Sequence, residues 1–212
     1  MYAPVLVIPP ALMPVSLDEA KLHLKVENNA EDGLIQGLIA AAVSHLDGRI
    51  GVLGRALVEQ TWRQDFDGFG GRMCLSPGPV SEIVSITWRD VDGQVSTVSD
   101  ADYSLQADRS GSAYVEWDTN YSSPSNLHET APVSVTFKAG YPTVPAVEAD
   151  PEADPPVEAA AAISTVPAAL KAAILLMVGN WHRFRSDGAE SGVSSLPMGV
   201  SSLISPYMRW GN

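Results

Sequence analysis

Residues 29–50, NAEDGLIQGLIAAAVSHLDGRI, govern how the rest of the chain is read. Leu34, Ile35, Leu38, Ile39, Ala42, Val43, Leu46 and Ile50 recur at three- and four-residue spacing, which on a helix gathers them into one broad apolar stripe. Such a stripe has to be covered. Asn29 is placed to cap the first turn, Glu31 and Asp32 suit the positive end of the helix dipole, and Gly48, Gly51 and Gly54 mark the end. Glu31, Gln36, Ser44 and Asp47 fall on the opposite face, which can stay in water. A helix of about twenty residues spans about 30 Å, long enough to serve as the spine of a small domain.

Upstream, Ser16-Leu17-Asp18-Glu19 has the form of a capping box, in which Ser16 and Glu19 each satisfy an amide at a helix start. It predicts a short helix to about Lys25, with Leu17, Ala20, Leu22 and Leu24 as its apolar side, packed as a hairpin on the spine. Downstream the period changes to two. Val58, Gln60, Trp62, Gln64 and Phe66 alternate with Glu59, Thr61, Arg63 and Asp65, the pattern of a strand. Further strands are expected at Arg72–Leu75, Ile83–Trp88, Val95–Val98, Tyr103–Gln106, Ala113–Trp117 and Val133–Phe137, with Asp92-Gly93 as a hairpin turn. Short strands at this spacing describe an antiparallel sandwich or barrel.

Residues 142–166 contain five prolines, five acidic residues and no basic one, a composition that predicts an extended or mobile linker. Pro167 then suits a first helical turn, and Leu170, Ile174, Met177, Val178 and Trp181 form a stripe able to cover the spine. The chain closes on an apolar tail from Leu196 to Trp210 that should dock onto something. The expected architecture is α+β: a small helical bundle drawn from both chain ends with an inserted antiparallel β-domain. Its segments are 1–57 (arm and helical hairpin), 58–141 (β-domain), 142–166 (linker) and 167–212 (helix and tail).

The 212 residues carry 13 basic and 25 acidic side chains, a net charge of −12. That balance argues against a body that grips nucleic acid through its phosphates. The charge is uneven: residues 1–166 hold nine basic and twenty-three acidic side chains, residues 167–212 four and two. Cys74 is the single cysteine, so no internal disulfide can form; it reads as a small buried side chain in a strand. The apolar N-terminus lacks a basic leader and is broken by prolines, unlike a signal peptide, and no apolar run is long enough to cross a bilayer.

Little points to catalysis. Asp65-Phe66-Asp67 has the spacing of two carboxylates that could share a divalent ion, yet Asp67-Gly68 reads first as a turn. Asp90-Val91-Asp92-Gly93 lacks the later ligands of a calcium loop. His23, His45, His128 and His182 show no metal-binding spacing, and no nucleophile elbow or phosphate-binding glycine loop occurs, so no cofactor, metal or catalytic residue is nominated. Trp62 and Trp88 are expected in the core, which leaves Trp117 and Tyr121 as a candidate sugar- or protein-binding face.

Several stretches together resemble the phage head–tail connector (adaptor) family, which also occurs in phage-like gene transfer agents. They are Leu17-Asp18-Glu19-Ala20-Lys21 with His23-Leu24, the Glu31-Asp32 and Leu34-Ile35 helix start, Gly54-Arg55-Ala56-Leu57 leading into Gln60-Thr61-Trp62, and Leu75-Ser76-Pro77-Gly78-Pro79-Val80. The series continues through the Val133–Phe137 strand with Ala139-Gly140-Tyr141, then Val166-Pro167 with Leu170-Lys171, Leu196-Pro197 with Gly199-Val200, and Pro206-Tyr207. The 142–166 insert exceeds the connection associated with the family. The resemblance implies a structural, non-enzymatic subunit of a homo-oligomeric ring, usually of twelve copies. The ring would lie between the portal and the stopper or tail at the head–tail interface of a particle assembled in the bacterial cytoplasm. Genome DNA would pass through its lumen without sequence-specific binding, and no membrane would be involved. Apolar surplus at both termini suits the two unlike surfaces that a closed ring needs. On this reading Leu196, Val200, Leu203, Ile204, Tyr207, Met208, Arg209 and Trp210 contact the portal, and Leu34, Leu38, Leu46, Ile174 and Trp181 serve subunit packing. The competing readings are a carbohydrate- or protein-binding β-module using Trp117 and Tyr121, and an enzyme using Asp65 and Asp67.

Overall fold

Alternation from Gln60 onward produces the strand it predicts. In β2 (Gln60–Phe66) Gln60, Trp62, Gln64 and Phe66 point inward, while Thr61, Arg63 and Asp65 face out. A computed structural model describes residues 2–109, 111–149, 161–184 and 198–209, which divide into two compact units. The β unit joins residues 1–11 to 59–140; the helical unit joins 12–58 to 141–212. The fold class is α+β, with antiparallel sheets.

In the β unit, a five-stranded sheet has the order β1-β2-β8-β4-β5, formed by Val5–Ile8, Gln60–Phe66, Val133–Ala139, Val80–Arg89 and Val95–Thr97. A three-stranded sheet has the order β3-β7-β6, formed by Met73–Leu75, Ala113–Trp117 and Tyr103–Ala107. The central strand β8 pairs along its whole length with β2, Phe137 opposite Trp62 and Val133 opposite Phe66. Val133, Val135, Phe137 and Ala139 are buried there, and Met73, Leu75, Ala113 and Val115 are buried on the other sheet. Ser76 N–H donates to the buried Gln64 Oε1 at 3.1 Å, tying β2 to the end of β3 and satisfying part of a polar group inside the core. The Asp92-Gly93 turn forms as expected: Gly93 takes φ +82°, and Asp90 Oδ1 accepts from the amides of Asp92 and Gln94. The bulges in β4, between Val80 and Glu82 and between Ile83 and Ser85, leave Val84 exposed.

Three expectations need correcting. The N-terminal arm, grouped with the helical hairpin by its position in the chain, belongs to the β unit, where Val5–Ile8 adds to the edge of β2. Cys74 is only half-buried, because Met73 and Leu75 take the inward positions and period two turns Cys74 outward. Trp88 is likewise half-buried.

In the helical unit, α1 (Leu17–Leu24) starts with both capping-box bonds in place: Glu19 N–H to Ser16 Oγ at 3.1 Å and Ser16 N–H to Glu19 Oε2 at 2.7 Å. Lys25, with φ 58°, closes it. The spine is shorter than its stripe suggests. α2 runs Asp32–Leu46, 15 residues, because Asn29 does not cap it; Asn29 Oδ1 accepts from Lys21 Nζ at 2.7 Å, and the same ammonium meets Asp32 at 2.8 Å. The C-terminal end is fixed by Asp47, whose carboxylate accepts Leu57 N–H at 2.6 Å. Ile50 thereby leaves the stripe and is exposed. α3 (Ala168–Arg183) covers the spine: Ile35, Ile39, Ala42 and Leu46 meet Leu170, Ala173, Ile174, Met177 and Val178 in one core. Each of the larger of these side chains contributes about 1.5–3 kcal/mol by leaving water. His182 and Glu31, 2.8 Å apart, join the end of α3 to the start of α2.

The 142–166 segment is not wholly a linker. Thr143–Val144 (β9) pairs antiparallel with Ile163–Ser164 (β10), and Thr165 Oγ1 donates to Pro142 O, so its two ends are held together. The pairing uses backbone groups and three β-branched residues, Thr143, Val144 and Ile163, which acidic and proline-rich composition conceals. The chain then reaches α4 (Met198–Ile204) and a 3₁₀ turn at Ser205–Tyr207.

Candidate docking surfaces

The described part of the apolar tail, residues 198–209, packs on its own helical unit. Val200 and Ile204 lie in the core with α2 and α3, while Leu203, Tyr207 and Met208 pack partly buried against it. Arg209 N–H donates to Leu53 O at 3.1 Å. Side chains with no solvent exposure cannot form a surface for another protein, so Val200 and Ile204 hold α4 in place. Of the residues assigned to the portal contact, Leu203, Tyr207, Met208 and Arg209 keep part of their surface, and Leu196 and Trp210 lie outside the described residues. The same division runs through the subunit-packing set. Leu46 and Ile174 are interior residues of this subunit, whereas Leu34 is exposed and Leu38 and Trp181 are half-buried.

The aromatic group in the β unit is mutually engaged. Trp117 and Tyr121 stack at 4.8 Å, Phe69 and Trp117 form a T-shaped pair at 5.3 Å, and Tyr103 approaches Trp117 at 6.3 Å. The indole N–H of Trp117 donates to Gly70 O at 2.8 Å. One face of Trp117 is thus given to Tyr121 and its polar edge to Gly70 O, which makes the ring a packing member of this cluster. Burial, followed by the nearby Asp102 charge, pushes the Tyr121 phenol above its usual range, as expected of a packing residue.

The carboxylate pair is also engaged. Asp65 accepts from Ser134 Oγ at 2.7 Å and pairs with Arg63 at 3.2 Å. A hydrogen bond to Asp67 raises the Tyr2 phenol. Among the described residues no group of three or more His, Cys, Asp or Glu side chains is placed to hold a metal ion. No helix among them is long and apolar enough to cross a membrane.

The feature that reading by residue type missed is β1. Val5, Leu6, Val7 and Ile8 are each between 42% and 58% exposed, both faces of the strand included, at one open edge of the five-stranded sheet. Four consecutive apolar residues without a charge carry that signal in the sequence, but the flanking Pro4, Pro9 and Pro10 favour reading them as an arm. β5, the opposite edge, is exposed at Val95, Ser96 and Thr97.

Set against known proteins, residues 14–65 match the model of the phage gp6-like head–tail connector family. The chain resembles head–tail connector proteins. The matched region takes in the capping box, α1, the spine α2 and most of β2, the elements that carry the clearest sequence signals. No curated protein matches the chain. Among solved structures, a chain from the neck of an empty gene transfer agent particle computed with C6 symmetry is similar with a TM-score of 0.72 and 21% identity, covering 100% of this chain and 97% of that one. A chain from the virion of a native gene transfer agent particle gives 0.71 and 20%, with the same coverage. One from the neck of a native particle computed with C12 symmetry gives 0.61 and 20%, again at 100% and 97%. At these identities the likeness is one of fold, and it extends over both units of this chain.

Proposed function

We propose that this chain is a structural subunit of the neck of a phage or phage-like gene transfer agent particle, a head–tail connector that forms a ring between the portal and the stopper or tail. The observation that carries the reading is the fold likeness to particle-neck chains over the whole of this chain and nearly the whole of theirs. The connector-family match over α1 and α2 supports it independently. The role is non-enzymatic: the candidate carboxylates are occupied by Ser134, Arg63 and Tyr2. An excess of acidic over basic side chains suits a conduit through which DNA slides, because phosphate contacts would retard it. The portal contact is assigned to the part of the tail that keeps exposed surface, Leu203, Tyr207, Met208 and Arg209, together with Leu196 and Trp210.

Particles produced without this chain test the reading by negative-stain microscopy. Filled heads beside separate tails is the expected picture. Joined, infective or transducing particles at normal yield overturn it.

A further inference from the structure

The two open edges of the five-stranded sheet share a property: neither carries a charged side chain. The chain has a net charge of −12, so copies of it repel one another, and a surface without charge is where they can meet at least electrostatic cost. Residues 2–17, which contain β1, carry no ionisable side chain except Tyr2, and residues 93–99, which contain β5, carry none at all. Both strands expose every residue, and both lie at sheet ends, so each presents a row of backbone N–H and C=O groups sideways to the sheet. Among the described residues no strand pairs with either outer edge.

We infer that β1 of one copy pairs with β5 of the next, continuing the sheet from subunit to subunit around a ring; this rests on the connector reading. The strand order fixes the sense of the junction. Every pairing from β1 through β2, β8 and β4 to β5 is antiparallel, and with five strands β1 and β5 run in the same direction. Copies related by rotation about a ring axis therefore meet in a parallel pair of unlike edges. That is the heterologous contact a closed ring requires, and it leaves no edge over. A junction of β1 with β1 would be antiparallel and two-fold, which stops at a dimer. Val5 and Ile8 pair opposite Arg63 and Thr61 on one face of the sheet and Leu6 opposite Trp62 on the other, with a bulge between Leu6 and Ile8, and all three are exposed, so a neighbour seated on this edge also covers apolar surface that the chain's own core leaves in water.

The test uses particles carrying full-length chains in which Cys74 is replaced by serine, with Val7→Cys and Ser96→Cys singly and together, treated with a short bis-maleimide. The paired variant is expected to give a ladder of covalent multiples of this chain, with each single variant at least tenfold lower in cross-linked product. Dimers from Val7→Cys alone mean a β1–β1 junction and overturn the inference. A band of this chain joined to a different protein through Val7→Cys means that another neck component occupies the edge, and also overturns it. An absence of cross-links while the chain is present in purified particles overturns the junction and leaves the connector reading intact. Absence of the chain from particles removes the connector reading, and the junction with it.

Discussion

At Gly51 the backbone leaves no room for a side chain, since a Cβ there would press on the carbonyl oxygens of Asp47 and Leu46. Gly51→Ala is expected to destabilise the helical unit by about 1–3 kcal/mol, the usual cost of overpacking. Gly37 is the counterpart. It lies exposed inside α2 with nothing within 4 Å of its would-be Cβ, so Gly37→Ala should stabilise by about 0.5–1 kcal/mol through helix propensity and a less free unfolded chain. Opposite shifts of the urea midpoint, followed by far-ultraviolet circular dichroism, check the pair; shifts of the same sign contradict it. The tyrosines give a pH prediction. Burial first, then the charge of Asp100, raises Tyr103 above 10.0, and burial, then Asp102, raises Tyr121 likewise. A raised folded-state pKa makes a contribution that is complete below the unfolded value and is lost as pH climbs through the folded one. Stability of the β unit should therefore fall from about pH 10 upward. Replacing both residues by phenylalanine should flatten that fall without altering the midpoint's pH dependence near neutrality.

Among the elements, α4 joins the two meanings of an apolar tail. Ile204 is buried in the core cluster that holds the inward residues of α2 and α3, so Ile204→Ala should cost about 2–5 kcal/mol, as for a core aliphatic side chain. Met198, at the exposed start of the same helix, should change stability by less than about 0.5 kcal/mol when replaced by alanine. Equal effects in equilibrium denaturation would mean that α4 is not seated as described. What could be read beforehand follows the range of the interaction. The Ser16–Glu19 box and the Asp90–Gly93 turn complete their bonds within a few residues, so the sequence alone contains them. The alternation of β2 and β8 was equally plain, because each buries one face throughout. Length and partner were not legible. Asn29 could cap α2 but is claimed by Lys21, eight residues earlier on another helix, and nothing local states that preference. β1 finds β2 more than fifty residues away and β9 finds β10 about twenty away, pairings made by backbone groups that every sequence possesses. Of the candidate surface, the apolar character of the tail was legible. Which of its side chains turn inward depends on how α4 packs on α3, where Val200 and Ile204 join the core.

For the whole molecule, charge and adhesion oppose each other, and salt separates them. Nine basic against twenty-three acidic side chains in residues 1–166 produce a repulsion between copies that reaches over a Debye length of about 10 Å at 0.1 M salt and about 3 Å at 1 M. A contact made by backbone hydrogen bonds and apolar side chains, as at β1 and β5, is not itself weakened by ions. The weight-average mass at high protein concentration should then rise between about 0.05 M and 0.5 M sodium chloride, and deletion of residues 2–8 should abolish the rise. A fall in mass over that interval would show that opposite charges, such as those of residues 167–212 against the rest, hold the copies together. The same charge balance predicts that duplex DNA is not retained in a mobility-shift measurement even at about 0.05 M salt, where phosphate contacts are strongest. Retention that weakens steeply with added salt would place a cationic surface on the chain, and a lumen built from it would hold DNA back instead of letting it pass.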